Sequence, residues 1–167
     1  MVVRSAALLA FLGVACFTDL RSRRIPNWLV LLAAITGIVI AASATPIAAG
    51  LKLSGGGLLT GLAIWFPFYM LRMIGAGDVK LFAATATFLG PMGAVEGALY
   101  TALYGGLVAA GYMIARSGLA STFVRLVSGL QSPALLRNPE ATRSRMPYAL
   151  AIAGGVLTAF WWPGHIL

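Results

Sequence analysis

The chain has 167 residues, of which 60% are hydrophobic and only 10% charged, with a formal net charge of +8. A soluble domain carries about a quarter charged residues, so this composition excludes a water-soluble globule and points to an all-α integral membrane protein. The single cysteine excludes a disulfide framework or a cysteine-built metal site within one chain, and cations scattered over short segments speak against nucleic-acid binding.

The first apolar run, 6–17, follows Arg4 and precedes the denser basic group Arg21, Arg23 and Arg24. A secretory signal peptide has its positive charge in front of the run. The segment about 3–19 is therefore read as a retained first span, despite a faintly lipoprotein-like Gly13-Val14-Ala15-Cys16. The second span, about 27–44, opens at Pro26-Asn27, where proline sacrifices no helical hydrogen bond, and Pro46 follows it. The third, about 55–74, is expected to open at Gly55-Gly56-Gly57. The fourth and fifth, about 79–95 and 96–115, are separated or kinked by Pro91 and Gly93, and the last, about 147–163, opens at Pro147. At about 20 apolar residues per span, the chain reads as one domain, a bundle of about six transmembrane helices.

Two segments depart from simple spans. The run 79–90 rises only about 18 Å at 1.5 Å per residue. The fourth span must either continue past Pro91 or start beneath the membrane surface, with Asp78 at the floor of a depression. In the loop 116–146, Leu119, Phe123, Leu126, Val127 and Leu130 recur at helical spacing, which predicts an amphipathic helix lying on the leaflet.

The basic residues orient the bundle. Arg21, Arg23, Arg24, Arg72, Lys80, Arg116, Arg125, Arg137, Arg143 and Arg145 fall on one side, and only Arg4 and Lys52 on the other. The positive-inside rule puts the first group in the cytoplasm and both termini outside.

Acids are scarcer still. The chain has 4 Asp and Glu in all. Asp19 and Asp78 each stand where an apolar run meets a basic stretch, both on the cytoplasmic side of that topology. Carboxylates at bilayer edges are costly enough to read as functional. Each also has a plain structural reading: Asp19 ends a span among basic neighbours, and Asp78 caps the helix that begins at Val79. Together on one face they suggest a dyad in which one carboxylate takes a proton from water while the other, protonated, donates to a carbonyl oxygen. Gly75 and Gly77 suit a short non-helical segment able to lie against an extended chain. Glu96, near the opposite face, is expected to be solvated there, and Trp161 and Trp162 read as an interfacial belt.

These residues carry a family resemblance. Asp19-Leu20-Arg21-Ser22-Arg23-Arg24-Ile25-Pro26-Asn27 resembles the aspartate, spacer, Ile-Pro-Asn segment of type IV prepilin peptidases. Gly75-Ala76-Gly77-Asp78-Val79-Lys80-Leu81 is similar to their Gly-x-Gly-Asp-x-Lys-Leu signature. Met146-Pro147-Tyr148-Ala149-Leu150-Ala151 resembles the Pro-Tyr-Gly-x-Ala segment opening their last span, with Ala149 in place of Gly, a departure expected to touch no catalytic group. The resemblance implies an aspartyl endopeptidase of the inner membrane that removes the basic leader of pilin-like precursors at the cytoplasmic face, with Asp19 and Asp78 as catalytic pair and no cofactor or metal. One cysteine and no cysteine-rich insertion match the short, peptidase-only form found with tight-adherence (Flp-type) pili, without methyltransferase activity. Gly75, Gly77, Lys80, Pro26 and Asn27 would support the motifs. Arg21, Arg23 and Arg24 suit either acidic groups of a prepilin substrate or anionic lipid. Asn27 suits either a hydrogen bond near Asp19 or a cap on the second span. Two other readings remain at this point: a small transporter or proton-coupled channel using the span-edge aspartates, and a non-catalytic scaffold.

Overall fold

The computed structural model describes residues 2–117, 148–162 and 164. Every regular element among them is a helix: α1 (Val2–Ser22), α2 (Asn27–Ala44), α3 (Ile47–Met70), α4 (Ala76–Ser117) and α5 (Ala149–Trp161). Three of these, α1, α2 and α3, are long and apolar enough to cross a membrane, while the 13-residue α5 is apolar but shorter. The expected amphipathic helix in the loop 116–146 lies, from residue 118 on, outside the described residues.

The second span falls on α2 as read from sequence, but the third does not begin at its glycines. Gly55, Gly56 and Gly57 lie in the middle of α3, which starts eight residues earlier behind Pro46. Gly56 and Gly57 serve the close approach of α3 to α4, while Gly55 faces open space. A Cβ on Gly57 would run into the Ala86 carbonyl oxygen, and one on Gly61 would come within 3.1 Å of Ala83 Cα. Between membrane helices such small residues let backbones approach and gain packing where no hydrophobic drive separates protein from lipid.

The fourth and fifth spans are two limbs of α4, and they part at Gly90 rather than near 95. Gly90 has φ 76° and ψ 178°, a conformation essentially reserved for glycine, and Pro91 then starts the second limb without needing an N–H donor. The chain folds back at this point. The Phe82 ring comes within 3.6 Å of the Cβ position of Gly97, a contact that a straight helix would hold about 20 Å apart. The first limb, 76–89, therefore does not run on past Pro91 as one rod.

That first limb is the centre of the molecule. Residues 81–88 are all buried, as expected of a helix apolar on every side. Around Leu81, Phe82, Ala86 and Phe88 pack Leu8, Leu12 and Ala15 of α1, Leu29 of α2, Trp65 of α3, Ala94 and Ala98 of the second limb, and Ile152, Ala153 and Val156 of α5. Glu96 corrects another expectation. It is 3% exposed rather than solvated, and its Oε1 accepts the Gly164 N–H at 2.8 Å, while Oε2 is buried with no partner among the described residues. The fold-back at Gly90 turns Glu96 toward the chain that follows α5. Trp161 and Trp162 are exposed, as an interfacial pair should be.

Candidate active site

Asp19 lies on the inward stripe of α1. The helix buries Leu8, Leu12, Ala15 and Asp19, spaced by four, three and four residues, which is one face of a helix. The last position of an otherwise apolar stripe thus carries a carboxylate, only 7% exposed. Its Oδ2 accepts the N–H of Ala149 at 3.3 Å. Ala149 opens α5, and first-turn N–H groups have no acceptor inside their own helix. One turn earlier, Cys16 Sγ donates to the Ala149 carbonyl oxygen at 3.5 Å. The end of α1 is thereby tied to the start of α5.

Asp78 is delivered by a different device. Helix α3 closes in a Schellman turn: Arg72 N–H donates to the Tyr69 carbonyl and Met73 N–H to the Phe68 carbonyl, both at 2.9 Å. Arg72 takes the left-handed conformation, φ 59°, that this turn demands after a helix. The chain then reaches Gly75, whose carbonyl accepts the N–H groups of Asp78 at 3.1 Å and Val79 at 3.3 Å. Gly75 is the cap of α4 and Asp78 its third residue. The Asp78 side chain folds back toward Gly75, where the acid of a capping box sits. A Cβ on Gly75 would lie 3.0 Å from Asp78 Oδ2, so the glycine is the space the carboxylate occupies.

Two expectations are corrected here. Asp78 is not the cap of a helix beginning at Val79, because the capping acid lets the helix start at Ala76. The segment at Gly77 is not the expected non-helical stretch: Gly77 is helical, and its small size admits Ile25, whose Cβ lies 3.7 Å from the Cβ position of Gly77.

The two sequence motifs meet at this contact. Beside it Lys80 Nζ donates to Asn27 Oδ1 at 3.5 Å, joining the start of α2, capped by Pro26, to α4. Asp78 stands just ahead of the apolar run that begins at Val79. Burial raises its carboxyl above the usual range, the charge of nearby Asp19 adds to the rise, and the Gly75 backbone hydrogen bond opposes it. Burial raises the phenol of Tyr148, the residue next to Ala149, and the Asp78 charge adds to the rise. Asp19 and Asp78 thus come from different helices to one end of the bundle, with Asp78 in the field of the Asp19 charge. Arg21, Arg23 and Arg24 are exposed at the same end. Arg23 is held left-handed at φ 51°, its N–H donated to the Asp19 carbonyl at 2.8 Å.

The model of the type IV leader peptidase family matches residues 6–114, a stretch that contains both aspartates and both motifs. The chain belongs to the type IV leader peptidase family. No curated protein and no solved structure matches it. Membership makes the helical bundle a leader-peptidase-like protease, whose substrates are of the prepilin class. Sequence reasoning gave Ala149 no contact with either acid. In this leader peptidase fold its backbone N–H instead holds Asp19. The substitution of Ala for Gly leaves that N–H in place, which is why side-chain identity gave no warning. Tyr148 and Trp65 were also missed as neighbours of the site. The Pro147-Tyr148 pair opening the last helix was the available signal for the first. Nothing in the sequence marked Trp65.

Proposed function

We propose that Asp19 and Asp78 are the catalytic pair of an aspartic-type endopeptidase that cuts the basic leader from pilin-like precursors. The carrying observation is that the two aspartates converge from α1 and α4 on one end of the bundle, Asp19 buried and Asp78 half-buried, with the Asp19 charge acting on the Asp78 carboxyl.

A water between the carboxylates gives a proton to Asp19 as its oxygen bonds to the scissile carbonyl carbon. Asp78, whose carboxyl burial keeps protonated to higher pH, gives its proton to the carbonyl oxygen. The tetrahedral diol collapses as the C–N bond breaks. The leaving nitrogen takes the proton from Asp19, and one diol hydroxyl returns a proton to Asp78. Gly75 leaves room for the Asp78 carboxylate, and the Lys80–Asn27 bond keeps α2 from drifting off α4. The first limb of α4 rises about 21 Å, against about 30 Å of hydrocarbon. That shortness supports a site sunk below the membrane surface, where a precursor's apolar helix lies laterally while its leader stays in the cytoplasm. The asymmetry of basic residues supports the cytoplasmic face and outward termini. A single cysteine in these 167 residues is too few for a cysteine-built zinc insertion and supports the peptidase-only form of the tight-adherence type. Exposed Arg21, Arg23 and Arg24 are available to acidic groups of the substrate or to lipid headgroups. Membership in a peptidase family favours cleavage over transport.

The test is co-expression with a pilin-like precursor bearing a short basic leader. Asp19→Asn and Asp78→Asn should each insert normally and stop leader removal, seen as the absence of the mass loss. Complete processing by either variant ends the proposal.

A further inference from the structure

Tyr148 has no role in the chemistry just described, yet it is next in the chain to the residue that holds Asp19. It is the cap residue of α5. Its successor supplies the N–H that holds Asp19. Its ring makes an edge contact with Trp65, centroids 6.2 Å apart, and Trp65 in turn packs at 5.7 Å on Phe82, one helical turn beyond Asp78. The hydroxyl is seated against Gly105 of the second limb. A Cβ on Gly105 would lie 2.7 Å from Tyr148 Oη and 2.8 Å from Cε2. Only glycine leaves room for the phenol in this position. Tyr148 is half-buried rather than sealed off, while the Nε1 of Trp65, whose ring it touches, is buried without an acceptor among the described residues.

We propose that the Tyr148 hydroxyl is a second donor to the scissile carbonyl oxygen, acting beside Asp78 as that oxygen gains negative charge. The inference rests on the aspartyl peptidase reading above. A phenol fixed by an aromatic wall and a glycine seat is a preorganised dipole, which is the form of transition-state stabilisation that requires no rearrangement during the reaction. Its proton stays on Tyr148, so the proton balance of the two carboxylates is unchanged. Asp78 transfers a proton to the oxygen, and Tyr148 lends a hydrogen bond to it.

Tyr148→Phe keeps the ring, and with it the contacts to Trp65 and Gly105, and removes only the hydroxyl. The expected result is a fall of about 100-fold in kcat, the size seen when one oxyanion donor is lost, with KM and the thermal unfolding midpoint nearly unchanged. A peptide mimic with a tetrahedral hydroxyl at the cleaved bond should lose affinity by a similar factor. An uncleavable substrate analogue with a reduced, oxygen-free bond should bind as before. Wild-type kcat in Tyr148→Phe, with Asp19→Asn and Asp78→Asn inactive, overturns this inference and leaves the peptidase reading standing. A loss expressed only in KM or in unfolding midpoint also overturns it, since that is what a packing role would produce. Cleavage by the aspartate variants themselves removes the peptidase reading instead.

Discussion

Asp19 completes a stripe that is otherwise Leu, Leu and Ala, and that position carries it into the protein rather than into lipid or water. Asp78 reaches the same region because Gly75 has no side chain to fill the place of its carboxylate. Burial raises the Asp78 carboxyl most, and the rise is increased by the Asp19 charge, which disfavours a second negative one. Removing it in Asp19→Asn should make Asp78 titrate at lower pH than in the wild-type protein. Carbon-13 resonances of labelled aspartate followed through a pH titration in detergent measure the shift. A midpoint that does not move would show that the carboxylates do not sense one another. The same rise predicts how wild-type kcat/KM depends on pH. It should fall on the alkaline side as Asp78 loses the proton it must donate, because that profile reports the free enzyme.

Among the elements, the reversal inside α4 is the one on which the site depends most. It brings the second limb back beside the first and sets Gly105 under Tyr148. It rests on one residue, since Gly90 has a backbone conformation that a side chain makes costly. Gly90→Ala should therefore destabilise the protein by about 1–3 kcal/mol, read as a lower unfolding midpoint in detergent. An unchanged midpoint would mean that the limbs are held apart or together by something other than this turn. The sequence marked the break through Pro91 and Gly93 but set it several residues late, because a proline looks like the end of a helix when it is in fact the first residue of the next. The glycine triplet of α3 misled in the opposite way. Three successive glycines read as a loop, but they lie in the middle of a helix, where the small size of Gly56 and Gly57 serves close contact with α4.

For the molecule as a whole, the two ends of the bundle are organised differently. One end gathers the aspartates, Tyr148 and the start of α5. At the other, Glu96 holds the chain after α5 through the Gly164 N–H. Glu96→Ala leaves that N–H without its acceptor and should lower stability by about 1–3 kcal/mol, while cleavage per folded molecule stays at the wild-type value. Glu96→Gln keeps an acceptor oxygen and should be milder. Thermal unfolding and precursor cleavage on the same preparations separate the effects. Slow cleavage at unchanged stability would show that Glu96 takes part in the reaction.

Composition alone fixed the environment, because so few charges leave no surface for water to wet. The positions of Asp19 and Asp78 at the edges of apolar runs marked the acids as unusual, and the Leu8-Leu12-Ala15-Asp19 spacing was there to be read as one inward face. Local sequence could not set the partners of those acids. Ala149 donates through its backbone, which every residue but proline possesses, so its identity gave no sign. Tyr148 meets the site only because Gly105 and Trp65, from two other helices, leave it one position to occupy. Periodicity tells which way a side chain faces. Which groups it faces was decided by the fold-back at Gly90 and by the close approach of α3 to α4, contacts between residues that are not neighbours in the chain.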